Sequence, residues 1–315
     1  MISTVITNLN LGTYLTRTVQ SALTQDSLSF EIIIIDAKST DNSLNVIKKF
    51  HAEDNRVHYL SEPDDGHFFG INKGLRLCKG NIIGILHSSD FYDKNIFSIV
   101  EDEFLKDPNL WILGGQNTLV NLNAKEIIKS KIKKNFLDIN SVINFEFPVI
   151  ESTFFRKDVL ENFGYFSTNK FIKRCHTNIF LKYFLGCINL NKKIKILDKN
   201  FSFHLEHENK RPVFSRNSKN INYYSNGRKI ACYYNLREFS KILNENQKKI
   251  LLLQKEIYDL KNALFFRKWS YVSKLEKKIF KILSFYEFFK LNCRIILKAI
   301  KMYYIYVLSK VYKYL

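Results

Sequence analysis

Along the first ninety residues, short apolar runs alternate with segments whose apolar positions recur every three or four residues. Val5-Ile6 opens an apolar segment that breaks at Asn8-Leu9-Asn10-Leu11-Gly12, and a helical pattern follows from Tyr14 through Val19, Ala22 and Leu23. Phe30-Glu31-Ile32-Ile33-Ile34-Ile35-Asp36 is a β-branched run suited to a strand buried on both faces of a parallel sheet. Ser39-Thr40-Asp41 supplies cap-type residues before a helix carrying Leu44, Val46, Ile47 and Phe50. Val57 to Leu60 reads as a third strand, Ile71 to Cys78 as a helix, and Ile82 to Leu86 as a fourth strand. This alternation predicts a doubly wound α/β sheet. Asp36, Asp64 with Asp65, and Asp90 fall at or just after strand ends, where such sheets bind ligands and where turns and helix caps also use acids. Neither a G-x-G-x-x-G fingerprint nor a G-x-x-x-x-G-K-[ST] phosphate loop occurs.

The second half has a different texture. Residues 209–242 are polar and read as a connector. From Leu243 the pattern is helical, with Ile250, Leu253, Ile257, Leu260 and Leu264 on one seam. That seam fits packing on the preceding domain or pairing of two copies into a homodimer. Beyond Lys277, Lys290, Arg294, Lys298 and Lys301 share a helical face, with Leu291, Ile295, Ile296, Ala299 and Tyr303 opposite. The longest charge-free stretch there, Met302 to Ser309, is too short to span a bilayer. A basic, aromatic-rich amphipathic helix fits the headgroup region of an anionic membrane, and a packing helix has the same pattern. The expected organisation is an α/β domain over 1–208, a connector over 209–242 and a helical tail over 243–315.

Charge follows the same division. The 315 residues carry 49 Lys and Arg against 30 Asp and Glu, a formal net charge of +19. Residues 1–100 nonetheless carry nine against eleven, and residues 201–315 carry 24 against eight. The basicity belongs to the tail. No nucleic-acid recognition motif accompanies it, so nucleic acid is not an expected partner. The hydrophobic content of 46% excludes a wholly disordered chain. Five cysteines without C-x-x-C spacing argue against a disulfide scaffold or zinc ribbon and fit small core residues in a reducing compartment. The first residues lack a basic n-region, so no export signal is expected.

Five segments in order carry a family resemblance: Ile35-Asp36-Ala37-Lys38-Ser39-Thr40-Asp41, Ser61-Glu62-Pro63-Asp64-Asp65-Gly66 with Asn72-Lys73-Gly74, Gly80 to Asp90, Ser152-Thr153-Phe154-Phe155-Arg156, and Phe163-Gly164-Tyr165-Phe166. Together they resemble the family 2 glycosyltransferases, in the branch that builds bacterial O-antigen, lipopolysaccharide, capsule and exopolysaccharide. The resemblance covers about Ser3 to His207. It implies the A-type glycosyltransferase fold, a Rossmann-like, mostly parallel sheet flanked by helices, here with a C-terminal helical extension. It also implies a nucleotide-diphospho-sugar donor. Asp36 matches the nucleobase-binding residue, the loop from Thr7 to Asn10 would line the same pocket, Lys73 would approach the diphosphate and Asn72 would orient it. Leu9 stands where the family often has a stacking Tyr.

Two departures stand out. The family's metal-binding D-x-D motif falls on His87-Ser88-Ser89, leaving Asp90 as the acid. A divalent cation, Mg or Mn, would then use Asp90 with His87 or a Ser hydroxyl such as that of Ser89, and His204 is a further metal or phosphate contact by resemblance. The family's catalytic aspartate segment aligns with His176-Thr177-Asn178, which makes His176 the base. The function implied is inverting sugar transfer to a glycan or lipid-linked acceptor, by a cytoplasmic protein peripheral on the inner face of the cell membrane. The alternatives are a catalytically degenerate sugar-nucleotide or glycan-binding subunit and a membrane-binding adaptor.

Overall fold

The computed structural model describes residues 1–207 apart from 28, 124, 131, 167 and 169–175, together with 232, 236, 237, 239–241 and 243–265. For 176–180, 257, 258 and 260–265 it describes the backbone alone. The chain divides into two compact units, Met1–Pro212 and Val213–Leu315.

In the first unit, β1 (Ile2–Asn8), α1 (Gly12–Leu23), β2 (Phe30–Asp36), α2 (Ser43–Glu53), β3 (Val57–Ser61), α3 (His67–Leu77) and β4 (Ile82–His87) follow the predicted alternation. α3 begins at His67 rather than Ile71. Gly66, at φ 130°, turns the chain where a side chain would be strained, and Asp64 accepts its N–H at 2.9 Å. The chain continues through β5 (Phe91–Tyr92), α4 (Ile96–Lys106), β6 (Leu110–Val120), β7 (Glu126–Lys129), α5 (Ile139–Ile143), a 3-10 turn (Ile150–Ser152), β8 (Thr153–Arg156), α6 (Asp158–Phe163), α7 (His176–Asn189) and β9 (Lys193–Leu205).

All nine strands join one sheet, ordered β3-β2-β1-β4-β8-β6-β9-β5 with β7 paired to β6. β3, β2, β1 and β4 are parallel, as expected. The sheet as a whole is mixed, because β8 runs antiparallel to both β4 and β6. Four residues are too few to display a period, so the sequence pattern did not reveal β8. The chain steps outward from β1 to β2 and β3, then returns to β4 on the other side of β1. The carboxyl ends of β1 and β4 therefore form the topological switch point, where open sheets of this kind bind ligands.

Ile2 and Ile6 of β1 and Ile32 and Ile34 of β2 share one core with Leu15 and Val19 of α1, Ile47 of α2 and Phe97 of α4. On the alternate positions, α3 lies as close as a glycine permits. A Cβ at Gly74 would stand 2.3 Å from Val5 Cγ1 and 3.2 Å from Ile35 Cγ1. Asp41 joins the starts of α1 and α2, accepting the N–H groups of Gly12 and Ser43, each at 2.9 Å. Burial pushes its carboxyl up, but the hydrogen bonds from Ser43 and Gly12 outweigh burial and hold it below the usual carboxylate range.

In the second unit, α8 (Glu245–Phe265) opens on a capping box. Asn244 Oδ1 accepts the Gln247 N–H at 2.9 Å, and Gln247 Oε1 accepts the Asn244 N–H at 3.0 Å. The side chains of Ile257, Leu260 and Leu264 and the whole basic tail lie outside the described residues. Among the described residues no helix is long and apolar enough to cross a membrane.

Two outcomes follow from these contacts. Gly74→Ala should lower the unfolding free energy in urea by about 1–3 kcal/mol. Combined with Val5→Ala it should cost less than the sum of the two single changes, and strict additivity would contradict the close approach. Asp41 ionises more readily folded than unfolded, so its contribution is complete above the unfolded carboxylate range and fades as pH falls through the lower folded value. Asp41→Asn should therefore be less stable than the parent at neutral pH, with the gap in thermal melts closing below about pH 4; a pH-independent gap would refute this.

Candidate active site

One carboxylate ties together the ends of the first three strands. Asp36, fully buried at the end of β2, accepts from Asn8 Nδ2 of β1 at 2.8 Å and from Ser61 Oγ of β3 at 2.7 Å. It also accepts the Ser39 N–H at 3.0 Å and the Ser39 hydroxyl at 2.5 Å. Each carboxylate oxygen thus receives two hydrogen bonds. Asp36 thereby shapes the rim of the site. The acceptor left open at this rim is Asn8 Oδ1, buried and without a hydrogen-bond partner. Asn10, in the left-handed region at φ 53°, clamps the β1 loop to the β2 loop by accepting the Thr40 N–H at 2.7 Å. Leu9 stands 55% exposed on the same loop.

The two α3 residues serve their surroundings. Buried Asn72 donates to the Phe166 carbonyl at 2.7 Å and accepts the Phe166 N–H at 3.0 Å. The N-K-G segment is thereby fastened to the F-G-Y-F segment. Lys73 Nζ sits 2.8 Å from the Pro63 carbonyl and 2.8 Å from Glu62 Oε1, stapling the loop before its own helix. In this arrangement its charge is already paired.

The chemistry gathers at the switch point instead, and strand register explains how. Thr7 of β1 is the register partner of His87 of β4, and Thr7 Oγ1 lies 3.2 Å from His87 Nδ1. β4 and β8 pair Ile83 with Phe155 and Gly84 with Phe154; continued three residues, that register sets His87 opposite Glu151. Their side chains form an ion-pair contact of 2.9 Å, Nε2 to Oε1. β5 and β9 pair Phe91 with Phe203, and one step further sets Asp90 opposite His204. His204 Nδ1 lies 3.3 Å from Asp90 Oδ1. The His67 ring meets that of His87 edge-on, with centroids 4.2 Å apart. Ser89 is buried in the turn that delivers Asp90.

Asp90, Glu151 and His204 bring one ligand atom each within 4.8 Å of one another. A six-coordinate ion with bonds of about 2.1 Å holds its donors roughly 3–4.2 Å apart. The cluster needs only a small contraction to fit a divalent cation, and two carboxylates with one imidazole suit such an ion. Burial pushes the Glu151 carboxyl up, but the His87 charge and hydrogen bond, with His204, outweigh it and hold the carboxyl below its usual range; Asp90 acts in the opposite direction.

The structure thus brings Thr7, His87, Asp90 and His204 together. Glu151 completes the group and has no place in the sequence reading. Its signal was a lone acid in the apolar run Phe147-Pro148-Val149-Ile150-Glu151-Ser152-Thr153-Phe154-Phe155. His176 opens α7, and its side chain lies outside the described residues.

Three comparisons bear on this geometry. Residues 110 in number match chondroitin synthase of Escherichia coli at 36% identity, covering 35% of this chain and 16% of that protein. The chain therefore spans about one sixth of this relative's length. The fold is similar to that of S. aureus TarS in complex with UDP, with TM-score 0.60, 16% identity, and coverage of 85% of this chain and 73% of that one. It is also similar to the mannosyltransferase PcManGT of Pyrobaculum calidifontis in complex with GDP-Man and Mn2+, with TM-score 0.54, 14% identity, and coverage of 99% and 84%. These likenesses are of fold, and they agree with the expected A-type glycosyltransferase architecture. The description "Glycosyl transferase family 2" matches residues 3–164, half of the chain, and the chain belongs to that family.

Proposed function

We propose that this chain is an inverting glycosyltransferase of bacterial surface-polysaccharide assembly, moving a sugar from a nucleotide-diphospho-sugar to a hydroxyl of a glycan or lipid-linked acceptor. The observation that carries the proposal is the Asp90–Glu151–His204 cluster at the carboxyl ends of the switch-point strands. Family membership supports the reaction class. The nucleotide and nucleotide sugar bound by TarS and PcManGT support the donor class, and the Mn2+ of PcManGT supports a cation in the cluster. The name of the E. coli relative supports a glycan product. Basic residues beyond 277 support a place at the inner face of the cell membrane.

In one displacement the acceptor oxygen bonds to the anomeric carbon as the bond from that carbon to the diphosphate oxygen breaks. The acceptor proton passes to a base, for which His176 is our assignment. Asp90, Glu151 and His204 would hold the cation, which supplies positive charge opposite the leaving diphosphate. His87 orients Glu151, and the rim fixed by Asp36, Ser39 and Asn10 receives the nucleoside, with Asn8 Oδ1 open to a donor group there. The eroded D-x-D motif was the feature favouring a degenerate binding subunit. Glu151 supplies a carboxylate from the 3-10 turn that leads into β8, which favours retained activity.

Calorimetry with a panel of nucleoside diphosphates should find one that binds at least about tenfold more tightly with Mn2+ or Mg2+ present. Glu151→Gln and Asp90→Asn should abolish that metal-dependent gain. Binding of none of the panel, with or without metal, would sink the proposal. His176→Ala should reduce transfer by about 10²–10⁴ while leaving donor binding intact, and unimpaired transfer would remove His176 from the mechanism.

A further inference from the structure

The β6–β7 hairpin presents an exposed surface away from the residues of the cation cluster. Among the described residues β7 pairs with β6 alone, and all four of its residues are exposed. Ile127 and Ile128 are 45% and 46% exposed, and Leu122 in the turn is 56% exposed. Three large apolar side chains within seven positions face solvent on an edge strand and the turn before it, where folded proteins ordinarily place charges. The turn is built rather than loose. Asn121 Oδ1 accepts the N–H groups of Asn123 at 3.0 Å and Lys125 at 2.9 Å, and the Asn121 N–H donates to the Lys125 carbonyl at 3.0 Å.

Charge accompanies the apolar residues. From Leu122 to Lys134 the chain carries Lys125, Lys129, Lys131, Lys133 and Lys134 against Glu126 alone. Lys125, Lys129 and Lys133 are exposed, while Lys134 pairs with Asp138 at 3.1 Å. The position in the sheet is equally specific. Leu119 of β6 is the register partner of Ile128 on one side and of His204 on the other. β7 is therefore two strand spacings, about 10 Å, from the backbone of a proposed cation ligand.

We propose that this hairpin docks the enzyme on an anionic bilayer, with Leu122, Ile127 and Ile128 entering the headgroup boundary and Lys125, Lys129 and Lys133 meeting anionic headgroups. A soluble polyanion would account for the lysines but leave the isoleucines in water. A second copy joined through the β7 edges would cover the isoleucines but set lysines near lysines. A bilayer surface satisfies both at once. Docked this way, the switch point lies close to the membrane, where a lipid-linked acceptor would present its hydroxyl. That consequence rests on the transferase reading, whereas the docking itself does not.

The test uses the full chain and vesicles of phosphatidylcholine with or without phosphatidylglycerol. Each lysine near an anionic surface contributes roughly fivefold to binding, so K125E/K129E should lower partition onto the phosphatidylglycerol vesicles by about twentyfold or more. I127S/I128S should lower it as well, and both variants should keep the parent's nucleoside diphosphate binding, which shows that the fold and donor site are intact. In I128W the added fluorescence should be quenched by brominated phospholipid. Partition equal to the parent's in both double variants, or an unquenched Trp at 128, overturns the proposal even if the tail holds the protein on the vesicles. Hairpin-dependent binding to dextran sulfate without vesicle binding would overturn it in favour of an anionic-polymer surface. A hairpin-dependent dimer in sedimentation without vesicle binding would overturn it in favour of self-association.

Discussion

Two carboxylates buried within 4.8 Å of each other set the demand that the rest of this site answers. Like charges in a poorly polarisable interior raise each other's cost of ionisation, and each needs a positive partner or a proton. Here each acid has an imidazole, His87 on Glu151 at 2.9 Å and His204 on Asp90 at 3.3 Å. The departure at position 87 gains a physical explanation. The register of β4 against β8, continued three residues beyond Gly84 and Phe154, brings residue 87 toward residue 151, and their side chains meet at 2.9 Å. An acid there, as the D-x-D pattern would have it, would face Glu151 and repel it. A histidine turns the same proximity into an attraction. Loss of the motif carboxylate and the presence of Glu151 are thus two sides of one electrostatic solution.

The sheet makes that solution reachable. Thr7, His87 with Asp90, Glu151 and His204 come from four chain segments and meet because they sit at or next to the ends of paired strands. The antiparallel insertion of β8 is essential. A parallel strand beside β4 would present its own carboxyl end at the switch point, whereas β8 enters there, so the residues just before it are brought to the site. Glu151 stands two residues ahead of Thr153, the first residue of β8. Gly84, whose Cβ would meet Tyr92 Oη at 2.5 Å and Phe154 Cε1 at 2.6 Å, permits the close packing of aromatic rings beneath these residues.

The first four strands were legible because β-branched runs and helical periods are local signals, and Ile32 to Ile35 could hardly be read otherwise. Asp90 and His204 were legible as candidates through resemblance, and the structure places them side by side. Glu151 was not, because its importance lies in register with a strand more than sixty residues away. Asp36 and Asn72 were legible as important residues, whereas the hydrogen bonds they make within the fold were not. Asp36 is surrounded by donors from Asn8, Ser39 and Ser61, and Asn72 is closed on the Phe166 backbone. Motif matching locates a residue, while its hydrogen-bond partners decide what it can still offer to a ligand. The hairpin surface was hidden for a related reason. Ile127-Ile128 reads as an ordinary strand fragment until its exposure on both positions is known.

Rim and centre are therefore built on opposite principles. At the rim, Asp36 is saturated with hydrogen bonds and Asn10 locks one loop to the next, so the nucleoside would meet a surface already in its final shape. Pre-organised donors and acceptors of this kind need not rearrange as reaction proceeds. At the centre, two acids lie close together, with His87 beside Glu151 and His204 beside Asp90. Natural folds reserve such local conflict for functional sites and stabilise it through the surrounding structure. Thr7, His87 and His204, the neighbours of the two acids, lie on strands within the hydrogen-bonded sheet. A divalent cation held by Asp90, Glu151 and His204 would offset the two acids and would itself be balanced by an anionic diphosphate.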